Sequence, residues 1–162
     1  MKHIMKILLG LVLLTFLYPM SFALETKDAN SVKQKVSLLF VLPANKASII
    51  SDKTGKLLVL KVPDKKIMFF SDRPNRIAGN MPLEKFVQGW NKGKDSFKMD
   101  PPNAVLVHAG SEKGITLELT SVRLSDSGNT LIFSVIGKGK LTNAKGAFLF
   151  IDAALAEYAV IL

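Results

Sequence analysis

Asp72, Asp100 and His108 are the residues of this chain whose types could combine in acid–base chemistry. Two carboxylates held close together can divide the roles of proton donor and acceptor, and an imidazole can carry a proton near neutral pH. Nothing in the sequence fixes their separation. A serine nucleophile of the hydrolase type would need a Gly-x-Ser-x-Gly elbow, which is missing, and the lack of cysteine removes thiol chemistry. His108 is the only histidine besides His3, so the multi-histidine zinc sites of metallohydrolases cannot be built and no metal is expected. Gly137-Lys138-Gly139-Lys140 has the composition of a phosphate loop but not the Walker spacing, and no helical pattern follows it. No cofactor is expected.

Binding chemistry is better represented. Arg73 and Arg76 bracket Pro74 and Asn75 and could close as a two-pronged clamp on a carboxylate or phosphate. They could equally pair within the chain, with Asp72 or Asp100. Trp90 could present a ring to a ligand or fill the core, and Asn103 could meet a ligand or secure the rigid Asp100-Pro101-Pro102 turn. Arg73, Arg76, Trp90 and Asn103 are therefore the candidate ligand-binding residues.

The elements that must position these side chains are mostly strands. Val36 to Leu42 is a dense apolar strand that Pro43 should end. Ser48–Ser51 and Leu57–Val62 read as a hairpin with a five-residue connection, Asp52 to Lys56, that uses Gly55 for a positive φ. Ile67 to Phe70 is another strand and leads straight to Asp72-Arg73-Pro74. The period then changes: Leu83, Phe86, Val87 and Trp90 fall at i, i+3, i+4 and i+7, the stripe of one short helix over about 82–91. Pro82 suits its first turn, Glu84 complements its dipole, and Asn91-Lys92-Gly93 stops it.

Strands resume at Ala104–His108. Ile115 to Leu124 alternates, with a slip near Thr120-Ser121 that suggests a bulge, and Thr130–Ile136 returns antiparallel to it. Gly137–Lys140 and Asn143–Gly146 read as loops, Phe148–Asp152 as a last strong strand, and Tyr158–Leu162 as a weaker one. About eight short strands with turns every 8–12 residues imply a mainly β fold, an antiparallel β-sandwich or open barrel with one inserted helix.

The beginning of the chain sets the expected compartment. A basic start with Lys2 and Lys6, an apolar run from Ile7 to Leu17, Pro19, and small residues ending at Ala23 have the form of a cleaved signal peptide, residues 1–23. The run is shorter than the roughly 20 residues a bilayer span requires. Residues 24–34 read as a flexible polar lead-in, and 35–162 as a single β-rich domain held by burial alone, since no disulfide can form. Losing the leader with its two lysines lowers the net charge from +9 to +7. That surplus favours an anionic ligand or surface. No basic run interleaved with aromatics occurs, so nucleic acid is not expected.

Phe69-Phe70-Ser71-Asp72-Arg73-Pro74-Asn75-Arg76, then Phe86 and Trp90, then Phe97 and Asp100-Pro101-Pro102-Asn103-Ala104, resemble a family of uncharacterised exported proteins of bacteria and some algae. The resemblance runs from about Val36 to the last strand. It implies a small secreted β-rich domain and supplies no activity and no catalytic residues. The expectation is an exported, monomeric, non-catalytic binding or envelope protein, periplasmic or secreted. The alternatives are a small secreted hydrolase using the Asp and His residues, and a cationic adhesin.

Overall fold

Unbroken or alternating apolar runs separated by turn residues pair here into one antiparallel sheet. A computed structural model describes residues 37–154 except 54, 72, 94 and 95. The expected leader, the lead-in segment and the Tyr158–Leu162 strand lie outside the described residues. The described residues fall in one compact unit. The strands are β1 (Ser37–Asp52), β2 (Gly55–Lys61), β3 (Lys66–Ser71), β4 (Ala78–Pro82), β5 (Asn103–His108), β6 (Ile115–Leu124), β7 (Thr130–Ile136) and β8 (Leu141–Ala154), and α1 (Leu83–Gly89) follows β4.

The mainly β expectation with one short helix holds, and the sheet closes on itself. Strand order is β2-β7-β6-β5-β8-β1-β3-β4, and β2 also pairs with β1. Six strands therefore form a closed antiparallel barrel, with the β3–β4 pair as two extra strands. Closure pairs every barrel strand on both sides and so removes the two open edges of a flat sheet. It is possible because β1 is long enough to serve two partners along one edge: Leu38 to Val41 pair with β3, and Lys46 to Asp52 pair with β2. The opposite edge of β1 pairs with β8 from Ser37 to Ile49.

Pro43 therefore does not end the first strand. It falls in the interval between β3 and β2, where that edge of β1 carries no partner and a missing N–H costs least. Other boundaries also differ from the local reading. Asp52 pairs directly with Gly55, so the hairpin connection is shorter than five residues. Ala78 to Pro82, which carries no strand signature, is drawn into β4 by pairing with Lys66 to Phe70. Asn143 and Gly146 adopt positive φ (50° and 58°) within β8, as irregularities rather than as a loop. The slip in β6 lies between Leu119 and Ser121, as the alternation predicts.

Alternate residues point inward and form one continuous core. Phe40 and Leu42 of β1, Leu58 and Leu60 of β2, Leu106 of β5, Leu119 of β6, Leu131 and Phe133 of β7, and Leu149 and Ile151 of β8 are all fully buried. The helix adds to this core. It starts at Leu83, one residue later than Pro82 suggests, and lacks a side-chain cap. The Leu83 N–H instead donates to the Lys65 carbonyl (3.0 Å). A helix of 7 residues cannot persist alone. Its Phe86 and the following Trp90 pack edge-on or tilted against Phe40, Phe97 and Phe133, ring centroids 4.7 to 6.3 Å apart, and this cluster joins helix to barrel.

Candidate functional site

Of the candidate acid–base residues, Asp100 and His108 are not brought together. Asp100 precedes β5 and is exposed, whereas half-buried His108 ends it. The five strand steps between Asn103 and His108 alone span about 17 Å, beyond the reach of a shared proton. The imidazole Nδ1 of His108 donates to the neighbouring Ala109 carbonyl at 2.9 Å. Asp72 lies outside the described residues. Among the described residues no cluster of three histidines or carboxylates could hold a metal.

The candidate binding residues are also dispersed. Arg73 and Arg76 are exposed on the turn between β3 and β4, which Ser71 secures: its N–H donates to the Ile77 carbonyl, and its Oγ accepts from the Ile77 N–H, both at 2.8 Å. Asn103 lies across the sheet from that turn, on β5, with β1 and β8 between. It lines an open depression of about 210 Å³ with Leu39, Val105, Thr116, Phe150 and Asp152, and neither arginine reaches it. Trp90 is 2 % exposed, so it offers no ring face to a ligand and belongs to the core. Its Nε1 has no hydrogen-bond acceptor among the described residues.

The feature that the sequence reading missed is on the outer surface of β3, β1, β8 and β5, which lie side by side. Met68, Phe70, Val105 and Phe148 are 39 to 45 % exposed there. Register joins them. Val41 pairs with Met68 on one side and Phe150 on the other, Val105 pairs with Phe150, and Pro43 pairs with Phe148. Val41 is buried although it takes no part in the interior core, because its outer-face neighbours flank it. A sequence signal for this face does exist. Leu38–Leu42, Ile67–Phe70, Ala104–Val107 and Phe148–Ile151 are unbroken apolar runs, which make a strand apolar on both faces. The alternating β6 is polar outside. Leu57 and Val59 of β2 are also half-buried and apolar on the outer surface, on the far side of Lys61 from this group.

One end of this face is basic. Lys46 pairs with Lys61 on β2 and with Lys145 on β8, so three exposed lysines stand abreast on adjacent strands. Side chains directly opposite on neighbouring strands have Cβ atoms about 5 Å apart, and like charges so placed repel. The next outward positions beyond this row, Ser48, Val59 and Asn143, are uncharged, and the Ser48 Oγ is hydrogen-bonded by the Asn143 N–H (3.0 Å). Lys66 extends the basic rim onto β3, two residues from Met68 on the same exposed face. Asp64, exposed in the turn between Lys61 and Lys66, is the carboxylate nearest the basic end, and Asp152 and Glu118 lie at the opposite end, flanking Asn103 in register.

No protein-family model, no curated protein and no solved structure matches the chain. Among the described residues no helix is long and apolar enough to cross a membrane.

Proposed function

We propose that this chain is an exported, non-catalytic binding domain that docks on an anionic partner outside the cytoplasm. The observation that supports the reading is the row Lys145–Lys46–Lys61. Three like charges in register oppose folding, and an anion laid across them would relieve that opposition. The overall excess of 22 Lys and Arg over 13 Asp and Glu acts in the same direction. The separation of Asp100 from His108 counts against the hydrolase alternative.

Retention on an immobilised sulfated polysaccharide tests the reading. The Lys46→Gln/Lys61→Gln/Lys145→Gln variant should elute at clearly lower salt than the wild type. A control, Lys53→Gln/Lys138→Gln/Lys140→Gln, removes the same charge from exposed positions at the hairpin end. Equal losses in the two variants would show that net charge alone drives retention, and the row would have no role. Export is tested separately by intact mass of the protein recovered outside the cytoplasm, which should begin at Leu24.

A further inference from the structure

We infer that the anionic partner is a lipid bilayer surface, which the domain meets side-on through the outer face of β3, β1, β8 and β5. This deepens the proposed function and rests on it. Two observations combine. The first is the exposed apolar group Met68, Phe70, Phe148 and Val105, held in register and packed closely enough to bury Val41. The second is a set of four exposed lysines that fringes one end of that group: Lys66 on β3, Lys46 on β1, Lys145 on β8 and Lys61 on β2.

A soluble polyanion would use the lysines and leave the aromatic face wet. An apolar protein partner would cover the face and gain nothing from ammonium groups with no carboxylate in register. An anionic membrane satisfies both chemistries at once. Phenylalanine and methionine side chains enter the boundary between headgroups and acyl chains, while lysines on flexible stems reach phosphates at the rim. Asp152 and Glu118, at the other end of the face, set the tilt: the basic end sits closer to the lipid and the acidic end is raised towards water. Contact of this kind is peripheral. It needs no spanning helix.

Co-sedimentation with vesicles tests the inference, using phosphatidylcholine alone and phosphatidylcholine mixed with phosphatidylglycerol. The wild type should bind the mixed vesicles and not the neutral ones. Phe70→Ser/Phe148→Ser should weaken that binding on the order of tenfold, since each removes a half-exposed aromatic ring from the contact, and should leave retention on the sulfated polysaccharide unchanged. Lys46→Gln/Lys61→Gln/Lys145→Gln should weaken vesicle binding on the order of a hundredfold. All variants sit at exposed positions, and thermal melts verify that they fold.

Vesicle binding that survives the double phenylalanine change would overturn the lipid inference while leaving the anionic-partner reading intact. A lysine-row variant no weaker than the hairpin-end control on both vesicles and polysaccharide would overturn both. A concentration-dependent dimer in sedimentation velocity that Phe70→Ser/Phe148→Ser dissociates would assign the face to a second copy of the chain and would also overturn the inference.

Discussion

Replacing Phe86 with alanine should destabilise helix and barrel together. Phe86 is 0 % exposed and lies 5.3 Å from Phe40, 5.7 Å from Trp90 and 6.3 Å from Phe97, centroid to centroid. Removing such a ring from a closed core costs about 3–5 kcal/mol, because the surrounding rings belong to β1, to the end of the helix and to the segment before β5 and cannot all collapse into the space. With a urea m-value of about 1.5 kcal/mol/M, a loss of about 4 kcal/mol moves the unfolding midpoint down by roughly 2–3 M. The assay has a built-in reporter, since Trp90 is the only tryptophan and touches the barrel through Phe133 at 5.9 Å. Trp90 fluorescence and far-ultraviolet circular dichroism should therefore give coincident transitions in the wild type, because one core serves both elements. If the variant is too unstable to purify, Phe86→Leu should show the same pattern at about 1–2 kcal/mol. A fluorescence transition well ahead of the dichroism transition, or an alanine cost under about 1 kcal/mol, would show that the helix is a loosely attached lid and refute the shared core.

Other expected outcomes follow from single features. Gly137 has φ +155°, and a Cβ there would meet the Thr116 carbonyl at 2.8 Å, whereas Gly110 has φ +82° and open space around it. Gly137→Ala should therefore lower stability more than Gly110→Ala, whose cost of about 1 kcal/mol is conformational alone, and chemical denaturation of the two separates clash from φ. Trp90→Phe should change stability by no more than about 1 kcal/mol, since the lost ring volume is offset by removing a buried N–H that has no acceptor among the described residues; dichroism melts check this. Lys46→Gln should raise the melting temperature by roughly 1–2 °C in low salt, an effect that fades as salt screens the row. A gain that persists unchanged at high salt would show that repulsion is not its cause.

Local sequence determined the strand-and-helix content. The stripe Leu83-Phe86-Val87-Trp90 marks the only helix among the described residues, and the slip at Thr120-Ser121 appears as a register shift, because periodicity is a property of neighbouring residues. The local prolines and glycines were less reliable guides. Pro43 is tolerated because of which edge of β1 it occupies, and β4 exists because β3 supplies a partner for residues with little strand preference of their own.

Tertiary structure alone decided the closure of the barrel and the content of its outer face. Whether a β fold of this length forms a sandwich or a closed barrel depends on β1 pairing with β8 along one edge and with β2 along the other, a choice made between segments, not within one. The same holds for the candidate site. Asp100 and His108 are near in sequence yet stand at opposite ends of a strand, since an extended chain separates residues by about 3.3 Å per step. Lys46 and Lys145 are distant in sequence and look like scattered solubilising charges, but antiparallel register sets them side by side. Apolar runs could announce two-faced strands; only pairing could place them next to one another and put the lysines at their rim.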